Sequence, residues 1–222
     1  IYNAGTLKVV NSTISGNASE TDGGGLNNAG TASLYNVTIA GNTADSDANA
    51  SGSGGGIRQT GTLTLRNTLL ADNSLGASPA GADCSGTLTT AGYNLIEDVS
   101  GCSLSGSASG DQLGVSPALD PLGSYGGLTQ THRLQSGSLA IDAGDPLGCV
   151  DEVGAPVTVD QRGFARDAHC DIGAYEANSA GTPTPTPSLT PTATATASPT
   201  TTPTAAPTST GSQYLYLTAL HR

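Results

Sequence analysis

Three stretches of the chain read GTLKVVNSTISGN (residues 5–17), GTASLYNVTIAGN (30–42) and GTLTLRNTLLADN (61–73). Four columns recur in them: Gly5/Gly30/Gly61, Thr6/Thr31/Thr62, Asn11/Asn36/Asn67 and Asn17/Asn42/Asn73. The copies are 25 and then 31 residues apart. A second block, Gly23-Gly24-Gly25-Leu26 and then Gly54-Gly55-Gly56-Ile57, precedes the later two copies, and Leu26 to Ile57 is again 31 residues. Counting 25 residues back from Leu26 reaches Ile1, so the sequence reads as opening in mid-repeat, with further coils expected upstream. The six extra residues of the longer period fall between Asn42 and Gly54, as a loop insertion at one corner of a fixed unit.

A unit of about 25 residues holds three short strands and three turns. Leu7 and Val9, Leu34, and Leu63 and Leu65 alternate with polar residues, which is the period of a half-buried strand and not of a helix. Ile14, Ile39 and Leu70 mark a further strand. Stacked coils place like residues one strand spacing apart, about 4.8 Å, so Ile1, Leu26 and Ile57 form an apolar column. Asn11, Asn36 and Asn67 are placed to form a ladder of amides at a corner, where Asn tolerates the left-handed conformation. A leucine-rich-repeat horseshoe is the structural competitor, but no stretch has the 3.6-residue apolar period of its helical segments. The fold expected is all-β: a right-handed parallel β-helix, or β-solenoid.

Composition agrees. The chain has 222 residues with 31 Gly, one Phe, no Trp and no Met. It must build its core from stacked Leu, Ile and Val, with Gly at tight corners. The formal charge is −11, which repels phosphate backbones and argues against nucleic acid as a partner. No apolar run reaches the roughly 18–20 residues of a membrane span. The four cysteines, Cys84, Cys102, Cys149 and Cys170, contain no C-x-x-C pair, which argues against a zinc ribbon. They allow three pairings. The sequence-local ones, Cys84–Cys102 and Cys149–Cys170, are favoured over crossed pairs or free thiols, and such disulfides imply an oxidising compartment.

After Ser74 the periodicity fades. A degenerate coil is placed around Gly86-Thr87-Leu88. Then come GYNLIEDVSGC (92–102), LDPLGSYGGLTQTHRL (119–134), SLAIDAGD (138–145) and VDQRGFARDAHCDIGAYE (159–176). GYNLI, GGLTQTHRL, AIDAGD, DQRG and CDIGAYE in this order resemble the choice-of-anchor Q domain of bacterial β-helix proteins. The GGG-I…N…GN repeats are similar to those of polymorphic outer-membrane proteins and the wider pectin-lyase-like superfamily. The resemblance covers roughly residues 1–177; the CSLREA motif that often accompanies that domain is missing. It implies a secreted, surface-associated β-helix and no known reaction.

The chain thus divides into coils (1–75), degenerate coils with a loop-rich, disulfide-bonded cap (76–177), a stalk (178–211) and a short apolar segment (212–222). The stalk is built from Thr, Pro, Ala and Ser, a composition that cannot bury a core and is expected to be extended and disordered. SQYLYLTALHR (212–222) reads as a sorting or docking tag, an added edge strand or a plain remnant.

Candidate chemistry is sparse. Asp142, Asp145, Asp151, Asp160, Asp167 and Asp171 crowd into 30 residues. Calcium is a candidate ligand for them, but their spacing fits no calcium loop, and capping of Gly-rich turns or pairing with Arg162 and Arg166 explains them better. Asp142 and Asp145 are also the candidate carboxylate pair of a glycosidase, which needs two acids about 5–9.5 Å apart across a groove. Lys8 and Arg66 are placed outward on one face, two rungs apart, where a lyase would want a basic residue to abstract a proton. His132, His169 and His221 are the histidines, and no G-x-S-x-G elbow accompanies them. His132 is assigned a hydrogen-bonded structural role. Gly23–Gly25 and Gly54–Gly56 lack the Lys and helix of a phosphate loop and read as corners. Asn11, Asn17, Asn36 and Asn49 match N-glycosylation sequons, read here as ladder and turn residues.

No catalytic, metal or cofactor site is therefore assigned. The function expected is a secreted or cell-surface structural or adhesive module, a monomeric solenoid with glycans or cell-surface components as partners. The alternative is a carbohydrate-active β-helix enzyme, either a polysaccharide lyase or a glycoside hydrolase.

Overall fold

The computed structural model describes residues 1–76 and 83–177. The expected stalk, the apolar segment after it, and His221 lie outside them. Among the described residues there is no helix; thirteen strands make an eleven-stranded parallel sheet and a two-stranded one. Among the described residues no helix is long and apolar enough to cross a membrane.

The repeat dictates the pairing. Strands β1 (Tyr2–Asn3), β3 (Leu26–Asn28) and β6 (Ile57–Gln59) pair in parallel, with Tyr2 opposite Asn27 and Leu26 opposite Ile57. β2 (Thr6–Ser15) pairs with β4 (Thr31–Ala40), Val9 opposite Leu34 and Ile14 opposite Ile39. β4 then pairs with β7 (Thr62–Arg66) and β8 (Leu69–Ala71). β5 (Thr43–Ala44) and β9 (Ser74–Leu75) form the small corner sheet beside the loop insertion. The partners are the 25- and 31-residue offsets of the sequence, the ladder arrangement of a β-solenoid.

The stack continues beyond the recognisable copies. β10 (Cys84–Thr90) pairs with β6 through its start and with β7 through its end. β11 (Leu95–Ile96) follows β8, β12 (Cys102–Gly106) follows β10, and β13 (Gln112–Leu113) follows β11. The Cys84–Cys102 disulfide therefore ties neighbouring rungs, with Cα atoms 5.5 Å apart.

Asn11, Asn36 and Asn67 sit at φ +52°, +55° and +50°. One left-handed residue advances the chain without completing a pleat, so the side-chain phase flips there. Leu7 and Val9 pack on the core before the corner, and Ile14 packs on it after the corner. Val9, Leu26, Leu34, Ile39, Ile57 and Leu65 are wholly buried in this inner core. Full burial of each such side chain contributes roughly 1.5–3 kcal/mol.

Polar ladders run beside the apolar columns. Asn17 Nδ2 donates to Asn42 Oδ1 (2.9 Å), Asn42 Nδ2 to Asn73 Oδ1 (2.9 Å), and Asn73 Nδ2 to Asp83 Oδ1 (2.8 Å). A second ladder joins Asn3 to Asn28 (2.6 Å) and Asn28 to Gln59 (2.7 Å). It stops at Gln59 because the residue stacked on it is Gly86, which has no side chain to continue it. The expected ladder at the left-handed corner forms only in part. Asn67 Nδ2 donates to Asn36 Oδ1 (2.9 Å), whereas Asn11 bonds to Val159 O (3.0 Å) and Arg166 (3.0 Å).

Those partners show where the C-terminal segment lies. It was expected as a cap on the stack. Instead, residues of 119–177 lie along its flank, against the outer face of β2, β4, β8 and β11. The physical reason is visible in Leu69-Leu70: Leu70 faces the inner core and Leu69 faces outward. Leu69 and Leu95 form a second apolar cluster with Leu134, Ala140, Ile172 and Tyr175, so the sheet is buried on both faces there.

Candidate functional site

The chemistry-bearing residues converge on this flank. From the first coil, Lys8 Nζ meets Glu152 Oε1 at 2.8 Å, Thr13 Oγ1 meets Gln161 Oε1 at 2.5 Å and Thr131 Oγ1 at 3.0 Å, and Ser15 Oγ meets His132 Nε2 at 2.9 Å. From the second, Asn36 Nδ2 donates to Val150 O (2.8 Å) and Thr38 Oγ1 accepts from Ala174 N (3.0 Å). From the third, Arg66 pairs with Asp145, and Asn67 Nδ2 donates to Asp171 O at 2.8 Å. Lys8 and Arg66 do share one outer face, but each is spent on a carboxylate of the segment laid across it. Gly173, at φ +104°, sits so close to the sheet that a Cβ there would meet Thr38 Oγ1 at 2.7 Å.

Behind this contact is a buried charge cluster made by DQRG and CDIGAYE. Asp160 Oδ1 accepts from Arg162 N (2.8 Å) and Phe164 N (3.1 Å), while Oδ2 accepts from Arg162 Nε (2.8 Å) and Glu176 N (3.0 Å). The Arg162 guanidinium stands 3.6 Å from the Tyr175 ring centroid and 4.5 Å from that of Phe164. Arg166 Nη1 pairs with Glu176 Oε2 at 3.0 Å, both side chains all but inaccessible to water. Burial pushes Glu176 up to about 7; the charge of Asp171 adds to this and that of Arg166 opposes it. Burial raises Asp171 to about 6 against the hydrogen bonds it accepts from Ala177 and Asp142 N–H and the charge of Arg166. Burial lowers Arg166, opposed first by Glu176. Three acids thus face two arginines in a dry environment, an arrangement that fixes backbone at the cost of charge burial.

The other acids cap turns. Asp145 Oδ1 accepts from Leu147 N (3.0 Å), Asp151 Oδ1 from Val153 N (3.0 Å) and Ala155 N (2.8 Å), and Asp167 Oδ1 from His169 N (2.8 Å). Asp145, Asp151 and Asp160 each open an Asp-x-x-Gly turn, with Gly148, Gly154 and Gly163 at φ +97°, +81° and +88°. Two of these turns hold their third residue out to solvent: Leu147 is 92% and Val153 71% exposed. The third turns Arg162 inward. Asp142 lies at φ +55°, its N–H donating to Asp171 Oδ1 at 2.8 Å. The Cys149–Cys170 disulfide closes the same segment, with Cα atoms 5.9 Å apart and Asn67 Nδ2 3.1 Å from Cys149 Sγ.

Ser15 and His132 come closest to a nucleophile–base pair. His132 Nδ1 lies 2.9 Å from Asp120 O, which can only accept, so Nδ1 carries a proton and the neutral ring's Nε2 accepts from Ser15 Oγ. Burial lowers the His132 pKa, which favours that neutral form. Both residues are 8% exposed, and the pair ties the THRL stretch to the end of β2. Asp72, raised by burial and then by Glu97, lies near the ring.

The Gly triplets are corners packed on one another: Gly24 N donates to Gly54 O (3.3 Å) and Gly25 N to Gly55 O (3.1 Å). The flank docking and the Asn3–Asn28–Gln59 ladder were not anticipated. The second was recoverable, because those three residues repeat the 25- and 31-residue spacing. Compared with known proteins, the chain matches no family model, no curated protein and no solved structure.

Proposed function

We propose that the chain is a structural or adhesive module of a right-handed parallel β-helix protein of the choice-of-anchor Q kind, displayed outside the cell. The observation that carries this reading is the use made of its reactive side chains. Lys8, Arg66, Asp145, Asp160, Arg162, Arg166, Asp171 and Glu176 join segment to stack or brace the segment itself. Two disulfides suit an oxidising, extracellular setting. Such a body is a stiff rod whose loops are available for contact. Exposed Leu128, Leu147 and Val153 on the flank segment, and the loop insertion after Asn42, are the surfaces such a module offers to glycans or cell-surface components.

The test is binding of the purified full chain to intact cells and to an immobilised glycan panel. Saturable binding that falls at least fivefold in Leu147→Ser/Val153→Ser, with unchanged thermal stability, supports an adhesive role for these turns. Absence of binding to every cell and glycan tested contradicts that role.

A further inference from the structure

The C-terminal segment lies on the flank, and among the described residues it leaves the last rung of the stack open. Among the described residues, β12 pairs only with β10 and β13 only with β11. Gly86 N donates to Gly101 O and Ser107 N to Thr90 O, so the odd-numbered residues around β12 face β10. The amides and carbonyls of Leu104 and Gly106 therefore face the open edge. The inner core is uncovered at the same place: Leu113 is 41% exposed, while Ile96, its partner in the rung before, is 1% exposed. Leu104 is half-buried where Leu88, its partner, is fully buried. An unpaired edge above an open apolar end is a template for another strand.

The chain supplies one. Ala177, the last described residue, belongs to the outer apolar cluster against which Val115 and Leu119, the residues that follow β13, also pack. The 34 residues of 178–211 can span up to roughly 100 Å at about 3.1 Å per residue. Beyond them stands Leu215-Tyr216-Leu217. It has the apolar-x-apolar spacing of Leu7-Lys8-Val9 and Leu63-Thr64-Leu65, which fill the inner column that ends at Leu104. We propose that Tyr214–Leu220 adds to the edge of β12 as a further parallel strand. Leu215 and Leu217 cover the core end, and Tyr214 and Tyr216 lie on the outer face.

Hydrogen exchange of the full chain tests this. In Leu215→Asp/Leu217→Asp, the amides of Leu104 and Gly106 are expected to exchange at least tenfold faster than in the parent, with Leu34 and Leu65 unchanged. Tyr214→Ser/Tyr216→Ser, altered on the outer face, is expected to stay within threefold of the parent. Equal rates at Leu104 and Gly106 in the parent and the Asp variant would overturn the proposal. Protection that survives the Asp variant and grows with protein concentration would place a second copy on the edge, and would overturn it equally.

Discussion

Asn42 is the residue on which the longest polar ladder depends. Its Nδ2 donates to Ile14 O at 3.0 Å, Ala40 O at 3.3 Å and Asn73 Oδ1 at 2.9 Å. Its Oδ1 accepts from the backbone and side-chain amides of Asn17, at 3.1 and 2.9 Å. It is wholly buried, so water cannot replace any of these partners. Asn42→Ala strands at least two of them, and each buried polar group left unpaired costs about 1–3 kcal/mol. A loss of about 3–5 kcal/mol is expected, large for a single substitution. Asn17→Ala is the internal comparison. Asn17 is partly exposed and ends the ladder, so water takes over its partners and about 1 kcal/mol is expected. Urea unfolding of both variants, followed by circular dichroism at one pH, measures the difference. A loss below about 1 kcal/mol for Asn42→Ala, or equal losses for the two, would refute the ladder as a source of stability.

Stability should fall as pH rises from 5 to 8. Asp83, Asp171 and Glu176 are raised to about 6, 6 and 7 by burial, so the folded chain holds these protons more tightly than the unfolded chain. Their contribution is complete below the ordinary carboxylate range and is lost as pH climbs through those values. For Asp83 a factor of about a hundred in proton affinity is roughly 3 kcal/mol. His132, lowered by burial, acts in the opposite direction as pH drops, but it is one group against three. A midpoint of urea unfolding that is higher at pH 8 than at pH 5 would contradict this. Cys149→Ser/Cys170→Ser opens a loop with a sequence separation of 21 residues and should cost about 3 kcal/mol in calorimetry; no change in midpoint would show that the bridge adds nothing. Gly61→Ala should prevent soluble folding or cost several kcal/mol, because the new Cβ would sit inside contact distance of Gly30 O; a variant that unfolds like the parent would disprove that stacking.

The parts of this fold legible in the sequence are those in which one residue does one job at a fixed period. Leu26 and Ile57, or Val9, Leu34 and Leu65, announce a column because stacking forces like residues onto one another. The flank contact has no period to announce it. Thr13, Thr38, Leu69 and Leu95 occupy one outer column, yet two are hydroxylic and two apolar, because each meets a different piece of the segment. The hint lay in Leu69-Leu70, two adjacent leucines where alternation allows one, which signals a strand buried on both faces. Asn11 departs from the corner ladder for a related reason. Its left-handed backbone is what the repeat preserves, while its side chain is free to serve Arg166 and Val159. The acids near the end sit in a Gly-rich context that suggests turn caps, and Asp160 and Asp171 meet the nearby Arg162 and Arg166 that the sequence offered them; the gathering of both pairs with Glu176 in one buried cluster left no pattern.

The most direct test of a structural module against an enzyme is product release from a panel of neutral and acidic polysaccharides by the full chain, with and without calcium. With Asp145 held by Arg66 and its own turn, no oligosaccharide should appear under either condition. Defined oligosaccharides, lost in Asp142→Asn or Asp145→Asn, would contradict the structural assignment and make this flank a catalytic site.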